Sequence, residues 1–319
     1  MEVCMNIVVT DHDYMDFSRE EHLFHSYGAA FTVTQCTNDE EIITAAKEAD
    51  IIINSDLPIS KQVIEQLPKL KLITRYGIGV DHIDVEAANE QGVYVANVPD
   101  YSQEDVADHT LALILSSVQK IIQSNNQVKA GRWSFSDVAP LHRLRTQTVG
   151  LISYGGIARI LSKKLQAIGF TVIAYDPFVQ EADVDIVSLE EVMASSDVVS
   201  IHAPLLESTY HLIDQTMLSF MKPNAILINA GRGSIIDENS LIEALQNGQI
   251  KGAALDVLEE EPIRENHPFL AMEQVILTPH VAFYSEEAMQ ELQKKTTDNV
   301  IDMLKHKTPR YAVNAGGVK

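Results

Sequence analysis

The chain has 319 residues, 45% of them hydrophobic and 22% charged, with a formal net charge of −21. That length holds two domains with separate cores; the acidic balance sets the overall field against nucleic acid and other polyanions; and no apolar run approaches the roughly 20 residues that cross a bilayer. Two cysteines, Cys4 and Cys36, make no disulfide framework, and residues 1–6 enter a strand-like run without the basic and apolar regions of a signal peptide, so a reducing, cytoplasmic setting is expected. The excess acid reads as solvated surface. It leaves room for a small anionic substrate held by local cations and backbone N–H groups.

Strand-like and helix-like segments alternate along the chain. Residues 6–10, 30–33, 51–54, 72–75 and 94–96 read as strands, with helical patterns at 39–49, 60–67 and 85–91 between them. Ser60 and Asp84 suit N-caps, and Gly92 suits a helix end. A long helix with breaks is expected over 102–130; its centre, Thr110 to Leu115, is too apolar to face water. A second series follows, with strands at 148–152, 171–175, 198–201, 225–229, 252–256 and 275–277. Its helices fall at 157–168, 189–195, 214–221 and 238–247. The last helix, 285–306, is placed to cross back to the first domain. Alternation of this kind predicts α/β domains with parallel sheets covered on both faces, and the six-strand series fits a doubly wound nucleotide-binding fold.

The strand at 148–152 runs into Ser153-Tyr154-Gly155-Gly156-Ile157-Ala158 and then a helix. Strand, glycine turn and helix N-terminus together bind a pyrophosphate, because N–H groups and the helix dipole face the anion. Against the pattern G-x-G-x-x-G/A, Ser153 replaces the first glycine, Gly155 keeps the second position and Ala158 the third. The next strand ends in Asp176, 21 positions beyond Gly155, where a carboxylate accepts the ribose hydroxyls. A 2′-phosphate beside Asp176 would be repelled, and Pro177 and Phe178 bring no cation, so NAD is expected rather than NADP.

Three later stretches place an ionisable side chain after a strand-like run: Asn229-Ala230-Gly231-Arg232-Gly233, Asp256 to Pro262, and Thr278-Pro279-His280. Reduction of a keto acid needs a cation for the carboxylate and a proton for the ketone oxygen. Arg232 suits the first need. His280 suits the second, with Glu261 holding its other ring nitrogen and favouring the protonated form. All three follow strand ends, where open α/β sheets bind ligands. In the first domain, Arg75-Tyr76-Gly77-Ile78-Gly79 follows a strand, and its glycines allow N–H groups to converge on an anion. For the substrate, Tyr76, Tyr101, Phe283 and Tyr284 offer an apolar pocket, whereas Arg75, His82 and Arg132 would meet a phosphate. The sequence does not choose between them.

These motifs resemble the D-isomer-specific 2-hydroxyacid dehydrogenases over nearly the whole chain, in a branch similar to C-terminal binding proteins and phosphoglycerate dehydrogenases. The resemblance implies NAD-dependent interconversion of a D-2-hydroxy acid and its 2-keto acid by a homodimer. It implies two doubly wound domains: a flavodoxin-like substrate domain (1–101 and 283–319) and an inserted Rossmann NAD domain (102–282). Arg232, Glu261 and His280 inherit the catalytic roles, and residues 75–79 the substrate loop. Tyr154, Gly155, Gly156, Ile157, Asp176 and Pro177 line the cofactor, as do His202, Ala203 and Pro204 on the adenosine side. Ala230, Gly231, Arg232, Asp256 and His280 complete that surface, with Asp256 near the nicotinamide amide. The chain stops soon after the crossing helix, so no regulatory domain is expected, and no metal is called for. The altered glycine turn and the C-terminal-binding-protein likeness also allow a different class of function, an NADH-sensing interaction module.

Overall fold

A computed structural model describes residues 5–12 and 16–315. Cys4 lies outside them; Cys36 is buried as a free thiol. In chain order the first elements are β1 (Asn6–Val9), α1 (Ser18–Ser26), β2 (Ala30–Val33), α2 (Asp39–Ala45), β3 (Ile51–Asn54), α3 (Lys61–Glu65), β4 (Leu72–Arg75), α4 (Val85–Gln91) and β5 (Tyr94–Ala96). Then come α5 (Gln103–Val118), α6 (Ile121–Lys129), β6 (Thr148–Ile152), α7 (Gly156–Ala167), β7 (Thr171–Tyr175), β8 (Asp185–Ile186), α8 (Leu189–Ser195) and β9 (Val198–Ile201). The rest are α9 (Gln215–Phe220), β10 (Ile226–Asn229), α10 (Glu238–Gln246), β11 (Gly252–Leu255), β12 (Val275–Leu277) and α11 (Glu286–His306).

The chain forms two compact units, one from the N-terminal part up to Tyr101 together with Glu286 onward, the other Ser102–Ser285. The first unit holds a parallel sheet in the order β2-β1-β3-β4-β5, the flavodoxin-like order. Every residue of β3 is buried, as its Ile51-Ile52-Ile53 run demands of a central strand covered on both faces. Ser60 and Asp84 accept N–H bonds from Val63 and Ala87 as side-chain caps, and Gly92 closes α4 at φ +70°. Buried Asn299 ties α11 into this unit by donating to Thr74 Oγ1 at 3.1 Å and Asn97 O at 3.0 Å.

The second unit holds a seven-stranded parallel sheet in the order β12-β11-β10-β9-β6-β7-β8. One face packs on α8, α9 and α10 through Val192, Leu218 and Leu241, the other on α5 and α7 through Ile114 and Leu161. Strand order reverses beside β6, between β7 and β9, and at such a reversal open α/β sheets bind ligands at the carboxyl ends of the strands. The sequence pattern missed α1, which buries only Glu20 and Phe24. It also missed β8, whose two residues are too few to show a period. The expected helix over 102–130 divides into α5 and α6 at Lys120, which turns left-handed at φ +50°.

Candidate active site

At the end of β6, Ser153 adopts φ +71°, the left-handed conformation that glycine takes without a Cβ clash. Its N–H donates to Tyr175 O at 2.7 Å, and its hydroxyl to Asp176 Oδ2 at 3.3 Å. Asp176 gathers three more donors: Tyr154 N–H at 2.8 Å, Phe178 N–H at 2.8 Å and Val179 N–H at 3.2 Å. Burial pushes this carboxyl up, but the four bonds outweigh it and hold it below the ordinary carboxylate value. Asp176 is therefore an ionised clamp on the turn, as well as the acid expected to face a ribose.

Beyond the turn, Gly155 caps the 12-residue α7 with no side-chain acceptor, and a Cβ there would meet nothing within 4 Å. An open glycine and an uncapped helix start fit a dinucleotide pyrophosphate. At Gly156 a Cβ would stand 2.6 Å from Gln103 Oε1, so the Gln103 amide from α5 lies against this position. Tyr154, expected on the cofactor surface, belongs instead to the core. Its ring is fully buried beneath the Arg159 guanidinium, 4.7 Å from the centroid, and its hydroxyl donates to Asp183 Oδ1 at 2.5 Å. Ile157 is half-buried, Ala203 buried, and Pro177 and Pro204 exposed. His202 bonds Ser200 Oγ at 2.9 Å; burial pulls its pKa down to about 4, so it stays neutral.

The other ligand-facing loops follow β10, β11 and β12. Asn229, fully buried at the end of β10, accepts the Gly231 N–H at 3.0 Å and donates to Arg232 O at 2.9 Å. That Asx-type turn fixes the backbone of Ala230, Gly231 and Arg232 and sets where the guanidinium starts; Arg232 Nη1 in turn donates to Gly231 O at 3.0 Å. Next to it, Gly233 packs directly on the loop after β11. A Cβ at Gly233 would lie 1.9 Å from Leu258 C and O. That second loop carries Glu261, whose Oε1 accepts the Leu258 N–H at 2.9 Å and whose Oε2 contacts His280 Nδ1 at 2.7 Å.

His280 sits at φ +51°, a strained conformation for a residue with a Cβ, held by N–H bonds to Asp256 O at 2.8 Å and Thr278 O at 3.1 Å. Its pKa is raised, first by the Glu261 hydrogen bond; burial and the Arg232 charge oppose, and the Glu261 and Asp256 charges assist. His280 thus feels the charges of both Glu261 and Arg232. With Nδ1 committed to Glu261, Nε2 is the ring nitrogen left for a substrate. Asp256, expected beside a nicotinamide amide, turns its buried carboxylate to the His280 segment: it accepts from Thr278 Oγ1 at 2.5 Å, Val281 N–H at 3.0 Å and Ala282 N–H at 2.9 Å.

Comparison with known proteins identifies the family. Residues 111–282 match the model of the D-isomer specific 2-hydroxyacid dehydrogenase, NAD binding domain. A glyoxylate reductase of Korarchaeum cryptofilum is 34% identical over 87% of this chain and 86% of its own length. The chain belongs to the D-isomer specific 2-hydroxyacid dehydrogenases. A D-3-phosphoglycerate dehydrogenase of Methanocaldococcus jannaschii is 35% identical over 97% of this chain, which spans 59% of that relative's length. Among solved structures, an acyclic imino acid reductase in complex with NADPH and D-Arg has a TM-score of 0.90 at 30% identity, covering 97% of this chain and 100% of that one. The family's cofactor, NAD, matches the open turn before α7.

In the first unit, the Arg75 side chain folds back onto its own loop. Its guanidinium donates to Ser55 O at 2.9 Å, to Asp56 Oδ1 at 2.7 Å and to Gly79 O. It shapes the loop instead. Gly77 O accepts from Val98 N–H and Ile78 O from Asn97 Nδ2, so all three carbonyls of residues 77–79 are tied inward. The carbonyls are thus taken up, and Gly77 and Gly79 leave the loop free of bulky side chains at those two positions. Tyr76 is buried, its ring 6.5 Å from Phe17, and gives no pocket wall. His82 accepts from Asn54 Nδ2 at 3.2 Å; burial, then Arg75, pull its pKa to about 4, so it offers no positive charge to a phosphate. Tyr101 is buried, Arg132 is an exposed partner of Asp137 at 4.0 Å, Tyr284 is exposed, and the Phe283 ring lies 6.1 Å from His280. The roles of Asn229 and Thr278 were missed from sequence. A buried Asn before Ala-Gly at a strand end is a readable turn signal; the bond from Thr278 to Asp256 has no local signature.

No helix among the described residues is long and apolar enough to cross a membrane.

Proposed function

We propose that this dehydrogenase interconverts a small D-2-hydroxy acid and its 2-keto acid, with Arg232, His280 and Glu261 performing the chemistry. The observation that carries the reading is the 2.7 Å contact between His280 Nδ1 and Glu261 Oε2, under the electrostatic influence of Arg232. Bound NAD supplies the hydride acceptor, or as NADH the donor, at the substrate's C2. Arg232 pairs with the substrate carboxylate through parallel N–H bonds, which fixes the orientation of C2. In reduction, protonated His280 gives its Nε2 proton to the ketone oxygen; in oxidation, neutral Nε2 takes it from the hydroxyl. Glu261 holds the ring and stabilises the imidazolium, which favours reduction near neutral pH. Asp176 disfavours a 2′-phosphate, supporting NAD over NADP.

The same reading includes a homodimer in a cytoplasmic setting. Its supports are the exposed Ile121, Val128, Trp133 (88%) and Phe135 (86%) on and after α6, and the free thiol of Cys36. The test is NADH oxidation with glyoxylate, pyruvate, hydroxypyruvate, phosphohydroxypyruvate and bulkier keto acids. His280→Ala is expected to lose about 10²–10⁴-fold in kcat with NADH binding by fluorescence unchanged. Arg232→Ala is expected to lose keto-acid affinity. Near-normal turnover by His280→Ala removes its role, and no turnover by the parent enzyme with any keto acid refutes the reaction.

A further inference from the structure

Asp256 joins the two catalytic loops of the second unit. Its N–H donates to Asn229 O at 2.8 Å, ahead of Arg232, and its carbonyl accepts the His280 N–H at 2.8 Å. Its carboxylate, 2% exposed, accepts the N–H groups of Val281 and Ala282. The left-handed turn at His280 thus rests on this one residue from several sides. What orients the carboxylate is the Thr278 hydroxyl, 2.5 Å from Oδ1. Thr278 has a single hydroxyl proton, and an ionised carboxylate only accepts, so that proton points to Asp256. The imidazole of His109, on α5, lies on the other side of the hydroxyl, with Nε2 3.1 Å from Thr278 Oγ1 and 3.6 Å from Asp256 Oδ1. Since Thr278 already donates to Asp256, it must accept from His109, which assigns the His109 proton to Nε2. A directed chain of donors results: His109 to Thr278, Thr278 to Asp256.

We propose that His109 is a positioning residue for the acid/base group, holding Thr278 and Asp256 so that residues 280–282 keep His280 against Glu261. The proposal rests on the acid/base role read for His280 above. His109 reaches no reacting atom in this account; it acts through two residues and needs a donor, not a charge. A glutamine places an N–H donor at similar reach and does not titrate, so it separates positioning from proton transfer.

The experiment compares the full-length enzyme with His109→Ala and His109→Gln, using keto-acid kinetics and 15N-histidine NMR titration of His280 without substrate. Thermal unfolding is followed to verify that each variant is folded at the assay temperature. In the alanine variant kcat is expected to fall about tenfold, or about 1.4 kcal/mol in barrier, with the KM for NADH unchanged. The His280 titration is expected to move down toward the ordinary imidazole value as its Glu261 bond loosens. The glutamine variant is expected to restore both readings. Unchanged kcat and unchanged His280 titration in the alanine variant overturn the proposal, as does a glutamine variant no better than alanine. The NMR arm requires no turnover, so an inactive parent would refute the reaction while leaving the positioning claim to be decided by the titration alone.

Discussion

Gly233→Ala adds one methyl group between the two loops that carry Arg232 and Glu261. The backbone angle at Gly233 does not require glycine; the space does. The added Cβ would stand 1.9 Å from the carbonyl carbon and oxygen of Leu258 and 2.5 Å from Glu259 N. Ordinary contact begins at 3.4 Å, so the loops must part by about 1.5 Å, the difference between 3.4 and 1.9. The obstacle is main chain, which has no rotamer to yield. Leu258 N–H is itself bonded to Glu261 Oε1, so the movement passes directly to the side chain that holds His280. A displacement of about 1 Å at reacting groups can remove about 10²-fold in rate. We therefore expect kcat/KM for the keto acid to fall at least about 10²-fold. The turn before α7 is on other strands, so NADH affinity should fall far less than kcat/KM. Overpacking of this kind destabilises by about 1–3 kcal/mol, a Tm decrease of a few degrees. Steady-state kinetics, NADH fluorescence titration and calorimetry on one preparation measure all three. A variant with parental kcat/KM would show that the two loops need not abut for catalysis and would refute the reasoning.

Three further outcomes follow from the site. Glu261→Gln removes the principal support of protonated His280. Because the His280 pKa is raised in the folded enzyme, reduction should persist above the ordinary imidazole range and decline as pH rises through the raised value. In the glutamine variant that decline, and the rise of the oxidation rate, should both move to lower pH; kcat/KM profiles that overlay the parent's would remove Glu261 from this role. Asp176→Ala removes the charge that opposes a 2′-phosphate and two bonds that hold the turn, so NADH affinity should fall and the NADPH-to-NADH ratio of kcat/KM should rise about tenfold or more. An unchanged ratio would place cofactor selection elsewhere. Trp133→Ser with Phe135→Ser should convert a dimer to monomer in sedimentation; a dimer of undiminished affinity would move the interface away from these residues.

The alternation of strands and helices was legible because it is written in short-range patterns. Continuous apolar runs such as Ile51 to Ile53 suit central parallel strands, and caps such as Ser60, Asp84 and Gly92 lie within four residues of the groups they satisfy. Chemical type was legible too: a guanidinium, a carboxylate and an imidazole after three strand ends imply binding of an anion and movement of a proton. Parts of the site that depend on partners far along the chain were not. Asp176 reads as a ribose acceptor, yet four local donors converge on it; Arg75 reads as an anion ligand, yet its donors close its own loop.

The sequence by itself determined the architecture and the kind of chemistry, because periodicity, capping and residue type act over a few neighbouring positions. Only the tertiary structure decided which groups meet. His109 and Thr278 are separated by 169 positions, and Gly233 meets Leu258 because β10 and β11 are adjacent strands in the folded sheet. Strand order and loop contact set such pairings, and no local spacing encodes them.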